Sequence, residues 1–183
     1  MNDNGDLISI LKRDDFTNPD IRYNYGKEGY PVKINLPKYG GGKIGGFVHR
    51  MGPLIYQGLI SRGVKNINAA YANLMRQISH ESGYGTSGIS RQHNYGGIKI
   101  PGSNNYRKFK SDRDFADYYL NLMTSRYRNA IDAKDLNGFV NELGSKGYFR
   151  GQTAAQYLGK LNTLKSLDRA VAQDLANRRD FYN

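Results

Sequence analysis

Glutamate is rare in this sequence, with only Glu28, Glu81 and Glu142 among 183 residues. Glu81 stands where a carboxylate is least expected. Ile67, Ala70, Tyr71, Leu74, Met75 and Ile78 recur at the spacing of one helical face. Glu81 continues that face at the last turn, three residues after Ile78. An apolar flank disfavours the carboxylate anion, and the partial negative charge of a helix C-terminus acts in the same direction. A carboxyl group that holds its proton is the reagent glycosidic cleavage requires, because it can protonate the leaving oxygen. Helix position alone allows a second reading: a helix-end glutamate that turns to solvent or pairs with a nearby arginine.

Other chemistries are poorly provided for. There is no cysteine, which excludes a disulfide framework, a thiolate zinc site and a cysteine nucleophile. His49, His80 and His93 lack the H-x-x-x-H spacing of a metal site, so neither metal nor cofactor is expected. His80 falls out of phase with the apolar face and reads as a surface residue. A double-displacement glycosidase places a second carboxylate about 5 Å from the acid, and an inverting one about 6.5–9.5 Å away. Residues 82–111 contain neither Asp nor Glu. Asp112, Asp114 and Asp117 come next; Asp114 reads as a helix cap, so Asp112 is the candidate if a water-activating base is used. The stretch is basic instead, with Arg91, Lys99, Arg107, Lys108 and Lys110.

The elements that must hold Glu81 are mostly helices. Residues 1–46 read as a loop-rich arm. They carry Pro19, Pro31 and Pro37 and end in the glycine-rich hinge YGGGKIGG. The boundary falls near Gly46, leaving 47–183 as the compact domain. Helices are expected over 47–63, weakened by Gly52, Pro53 and Gly58, and over 66–81 with Asn66 as N-cap. A third runs over 112–131, opened by the pair Ser111 and Asp114. A short one carries Leu136, Phe139, Val140 and Leu143 and stops near Gly144. Thr153 and Gln156 open a last helix whose face is Leu158, Leu161, Leu164, Leu167 and Val171. Residues 82–110 hold Gly83, Gly85, Gly88, Gly96, Gly97 and Gly102 and show no helical period; short strands are expected around 95–100 and 106–110.

The string from Glu81 onward resembles the active-site signature of the bacterial and phage endo-β-N-acetylglucosaminidases that cut peptidoglycan, glycoside hydrolase family seventy-three. Glu81-Ser82-Gly83-Tyr84-Gly85 matches the family's helix-ending string. Asn94-Tyr95-Gly96-Gly97-Ile98-Lys99 matches a second string with one extra glycine. Tyr106-Arg107-Lys108-Phe109-Lys110-Ser111, the pair Gly147-Tyr148 and Ala154-Ala155-Gln156-Tyr157-Leu158 follow in family order. The resemblance covers roughly 66–165. It implies a mostly α, lysozyme-like α+β fold: five or six helices with a small Gly-rich β-lobe beside the active-site cleft. It implies Glu81 as the general acid and matches Tyr148 to the family's catalytic-site tyrosine, whose hydroxyl would orient the substrate's acetamido group. The missing second carboxylate departs from the scheme of some members. It favours substrate assistance, in which the 2-acetamido oxygen of N-acetylglucosamine attacks the anomeric carbon. Tyr84, Tyr95 and Tyr106 present ring faces suited to sugars, and Asn94 suits an acetamido group. Each has a plainer reading, as core packing for the tyrosines and as a brace of the lobe for Asn94.

Charge and leader signals bound the partners. Lys plus Arg is 27 and Asp plus Glu is 16, a net charge of +11. Such a surplus suits an anionic partner: nucleic acid, an acidic membrane surface or the bacterial wall. No apolar run approaches the roughly 18 residues a membrane span needs. The start MNDNGDLISILKRDD lacks the basic and apolar regions of a secretory signal. Synthesis in a cytoplasm and action on the bacterial wall are therefore expected, with a phage lysin as the natural carrier and residues 1–46 as a docking, wall-affinity or capping segment. The competing readings are a muramidase or lytic transglycosylase, and a non-catalytic module binding wall or nucleic acid. A buried carboxylate would repel phosphate, so no stable nucleic-acid partner is expected.

Overall fold

The computed structural model describes residues 22–25, 31–34, 42–149 and 151–182. The loop-rich arm assigned to 1–46 lies outside the described residues apart from the two strands and 42–46. The chain divides into two units, Met1–Lys38 and Tyr39–Asn183. In the first, β1 (Arg22–Tyr25) pairs antiparallel with β2 (Pro31–Ile34), Arg22 opposite Ile34 and Tyr25 opposite Pro31.

The second unit is helical throughout its core. Its elements are α1 (Lys43–Ser61), α2 (Ile67–Ser82), a 3-10 turn (Gly88–Gln92), α3 (Asp112–Arg126), α4 (Arg128–Ile131), α5 (Leu136–Ser145), α6 (Ala154–Asn162) and α7 (Lys165–Tyr182). The mostly α architecture is as the sequence implies. α1 opens inside the glycine-rich run and continues through Pro53 because Phe47, Met51, Ile55 and Leu59 form a buried stripe at steps of four. At Gly52 the neighbouring elements come very close: a Cβ there would lie 2.6 Å from the Tyr71 hydroxyl and 3.1 Å from Asp174 Oδ2.

α2 is the central element. Ala70, Tyr71, Leu74, Met75 and Ile78 are all fully buried, and so are Asn73, Gln77, Ser79 and Ser82. α1, α5, α6 and α7 pack around it. Asn66 does not cap it; its amide donates to the Asp132 carbonyl at 2.7 Å instead. The Ser111 cap is present, with the Ser111 hydroxyl accepting from Asp114 N. The Thr153–Gln156 capping box is complete in both directions.

Two expected helices are each broken once. The 112–131 helix stops at Tyr127 and restarts as α4. The last one divides at Thr163 into α6 and α7. Leu158, Leu161, Leu164, Leu167 and Val171 advance by three, three, three and four, a step that drifts round a 3.6-residue helix. The break resets the phase, so Leu161, Leu167 and Val171 are buried while Leu158 and Leu164 are only partly so.

The strands expected in the Gly-rich stretch shrink to a single antiparallel bridge, Lys99 opposite Tyr106. Arg107 N donates to Ile98 O at 2.8 Å and Ile100 N to Asn105 O at 2.9 Å. Beyond them the chain is drawn away, with Phe109 N donating to Gln92 O at 3.0 Å. No helix among the described residues is long and apolar enough to cross a membrane.

Candidate active site

The Glu81 string folds as it does because each residue type has one local task. Gly83 caps α2 in the left-handed region, φ 56°, which only glycine adopts freely. Ser82 is fully buried; its hydroxyl donates to Ile78 O at 2.5 Å and accepts from Gly85 N at 2.9 Å. Its carbonyl accepts from Thr86 N and Ser87 N. The turn after α2 is thus wrapped around this serine.

Glu81 is half-buried. The Tyr157 hydroxyl of α6 donates to its Oε1 at 2.9 Å. On the other side, a Cβ at Gly97 would lie 3.4 Å from Oε2. Gly97 has φ +61°, so an L side chain there would be strained by conformation and would sit in van der Waals contact with the carboxylate. The carboxylate is thus held by a phenol on one oxygen and roofed by bare backbone on the other.

Aromatic groups complete the surroundings. The Tyr148 phenol is pushed well up from its ordinary value, by burial first and by the Glu81 charge second. Tyr157 is raised for the same two reasons in the same order. Tyr119, fully buried on α3, is raised by burial and then by Tyr148, Tyr157 and Glu81. All three phenols therefore remain neutral hydroxyls, able to donate. The Tyr157 ring packs against Phe149, centroids 4.7 Å apart, and edge-on to His80 at 5.8 Å. His80 is thus part-buried beside the site, because α6 covers the flank of α2 that the apolar stripe leaves open. Tyr148 packs edge-on against Tyr127 at 5.2 Å.

The other residues singled out by sequence lie elsewhere. Asp112 opens α3, and its carboxylate accepts from the Tyr95 hydroxyl at 2.7 Å, meets His93 Nδ1 at 2.6 Å and pairs with Arg50 Nε at 3.1 Å. A carboxylate so engaged is a brace between α1, α3 and the Gly-rich stretch. Tyr95 is a core residue, 1% exposed, between Phe47 and Phe115. Asn94 is fully buried. Its amide donates to Ile98 O and Arg107 O, both at 2.8 Å, and its carbonyl accepts from Ile98 N at 3.0 Å. Every polar atom of Asn94 is satisfied by backbone, so it braces the lobe and offers nothing to a sugar. Tyr84 is part-buried with Lys43 Nζ 5.6 Å from its ring centre. Tyr106 is 41% exposed and keeps a ring face available, with Lys99 Nζ 5.9 Å from its centre. The broad depression along α3, lined by Tyr118, Asn121, Leu122, Ser125, Arg62 and Arg128, involves none of these groups.

Sequence reasoning passed over Tyr157. A tyrosine one residue past a capping box reads as core, and its apolar ring is indeed buried.

Comparison with known proteins adds to this geometry. Residues 62–168 match the Glucosaminidase family, described as mannosyl-glycoprotein endo-beta-N-acetylglucosaminidase. That range holds Glu81, Tyr148 and Tyr157. Among solved structures, the glycoside hydrolase domain of FlgJ from Salmonella typhimurium is similar in fold. It is 20% identical, with a TM-score of 0.50, over 75% of this chain and 98% of that one. No curated protein matches.

Proposed function

Since the chain belongs to the glucosaminidase family and is a glycoside hydrolase, we propose that it cleaves the β-1,4 bond following N-acetylglucosamine in bacterial cell-wall glycan. The observation that carries this reading is the Glu81 carboxyl group, gripped at Oε1 by Tyr157 and roofed at Oε2 by Gly97.

In the proposed reaction the Glu81 carboxyl gives its proton to the glycosidic oxygen as that oxygen leaves the anomeric carbon. The electron pair comes from the substrate's own 2-acetamido carbonyl oxygen, which bonds to the anomeric carbon. In this scheme Tyr148, a neutral hydroxyl whose phenol feels the Glu81 charge, orients that acetamido group. The Glu81 carboxylate then takes a proton from the water that opens the cyclic intermediate, restoring the acid. Asp112 has no part in this scheme, because its oxygens already serve Tyr95, His93 and Arg50.

The net charge of +11 fits an anionic wall as substrate surface. Delivery as a phage lysin, with residues 1–46 as a docking segment, is part of the same proposal. The test is mass spectrometry of borohydride-reduced products from purified walls. Reduced N-acetylglucosamine ends are expected; reduced muramic-acid or anhydro-muramyl ends would replace this reading with a muramidase or a lytic transglycosylase.

A further inference from the structure

Away from Glu81, one cluster pairs a locked imidazole with a locked guanidinium. Among the described residues, only Tyr84 and His93 hold a positive φ without being glycine, at 61° and 52°. An L side chain in that region is strained, and residues held so gather at active sites and ligand clamps. Tyr84 belongs to the Glu81 string. His93 ends the 3-10 turn, and its Nδ1 lies 2.6 Å from Asp112 Oδ1. A carboxylate only accepts, so Nδ1 carries the proton of this bond and Nε2 is the nitrogen left over. The His93 side chain is 41% exposed, within reach of a ligand.

Arg50 is pinned beside it. Its Nε meets Asp112 Oδ2 at 3.1 Å. Its guanidinium lies 5.9 Å from the Phe47 ring centre and 5.4 Å from that of Tyr95. Gly85, four residues past Glu81 in the same string, gives it room: a Cβ there would stand 2.8 Å from Nη2. The Arg50 side chain is nonetheless 44% exposed, and among the described residues nothing accepts a hydrogen bond from Nη1 or Nη2. Fixing so long a side chain costs conformational entropy, and here the fixed end carries two unspent donors. That planar edge matches the two oxygens of a carboxylate. The Asp112 charge is already met by Arg50, and residues 82–111 supply bases and no acid.

Resting on the reading of the chain as a wall hydrolase, we propose that Arg50 and His93 form a second binding site, for a carboxylate borne on the wall glycan. Arg50 clamps the carboxylate through Nη1 and Nη2, and the His93 imidazolium adds a donor from Nε2. Asp112 holds both from behind and does not touch the substrate. Two sources carry this chemistry: the lactyl branch of a peptide-free strand, and the peptide which that branch bears in intact wall. The site selects anionic wall strands over neutral N-acetylglucosamine polymer, while Glu81 performs the cleavage.

The experiment measures kcat and KM on soluble peptide-free and peptide-bearing wall strands, each with its carboxylates free or converted to methylamides. It uses wild type, Arg50→Gln, Arg50→Lys, His93→Asn and Glu81→Gln, with a thermal melt of each. The quantity read is the ratio of kcat/KM on free-carboxylate strands to that on amidated ones. In Arg50→Gln this ratio is expected to fall on the order of tenfold, the loss of one charge-assisted hydrogen bond, through KM rather than kcat. Arg50→Lys keeps the charge without the fork and is expected to recover only part of it. His93→Asn keeps a donor for Asp112, tolerates the positive φ and removes Nε2, so it is expected to lower the ratio in the same sense. The strand type that shows the fall identifies the source of the carboxylate. If Arg50→Gln does not fold, His93→Asn decides. An unchanged ratio overturns the proposal, and so does an equal loss on free and amidated strands, which is what a brace alone would give. Calorimetry of the same strands on Glu81→Gln reads the site without turnover. An inactive wild type or a fully active Glu81→Gln sinks the parent reading instead, so the two failures are distinct.

Discussion

Replacing Gly97 with alanine tests the site with one methyl group. Gly97 sits at φ +61°, and an L-residue in the left-handed region costs roughly 1–2 kcal/mol. At about 2–4 °C per kcal/mol for a chain of this size, the melting temperature should fall by about 2–8 °C. Activity should fall much further. The new methyl would lie 3.4 Å from Glu81 Oε2, on the side from which, in the proposed reaction, a leaving oxygen approaches to within about 2.6–3.2 Å of the acid. A displacement of about 1 Å costs on the order of 10²-fold, which is about 2.7 kcal/mol of transition-state stabilisation. Gly102→Ala is the matched control. Gly102 has φ +73° and nothing within 4 Å of an added Cβ, so it carries the strain without the obstruction. Kinetics on soluble glycan strands, with a thermal melt of each variant, separate the two effects. Gly97→Ala should lose kcat/KM while Gly102→Ala keeps it, with similar melting temperatures. Equal kcat/KM in the two variants would refute an approach of the reacting bond to Glu81 past Gly97.

Three further outcomes follow from the same contacts. Asn94→Ala leaves buried backbone groups at Ile98 and Arg107 unpaired and should destabilise the fold by about 3 kcal/mol in chemical denaturation; a change near zero would mean those groups find other partners. Asp112→Asn removes a part-exposed ion pair with Arg50, a loss of about 1 kcal/mol, and should leave turnover near wild type; a drop of roughly 10²-fold or more would make Asp112 the general base. Raising ionic strength toward 1 M shortens the screening length to about 3 Å, so wall lysis should weaken while hydrolysis of a neutral N-acetylglucosamine oligomer holds; parallel loss on both substrates would remove charge from the account.

Glu81 stands out in the sequence because a carboxylate continuing an apolar face breaks a pattern, and the pattern is local; its role as the acid is the proposal made above. The caps at Ser111 and Thr153 were legible for the same reason: a cap is a relation between residues three apart. What escaped depends on distant partners. Asn94 and Tyr95 have side chains that suit a sugar, and nothing nearby in sequence shows that Ile98, Arg107 and Asp112 already satisfy them. The strands expected at 95–100 and 106–110 have suitable residues, but Gly97 and the Gln92 carbonyl divert the chain before a ladder can form. The last helix breaks at Thr163 because Leu158, Leu161, Leu164 and Leu167, at steps of three, drift out of the helical phase. Tyr157 lies 76 residues from Glu81, and only the fold reveals that its hydroxyl, unlike its ring, is committed to the carboxylate.

The most direct measurement is lysis of purified walls by Glu81→Gln beside wild type, with sedimentation of each protein on the same walls. Glutamine keeps the shape and an acceptor for Tyr157 but cannot transfer an acid proton. The account predicts that turnover is nearly abolished while wall binding is unchanged. A Glu81→Gln protein that clears walls at the wild-type rate contradicts it.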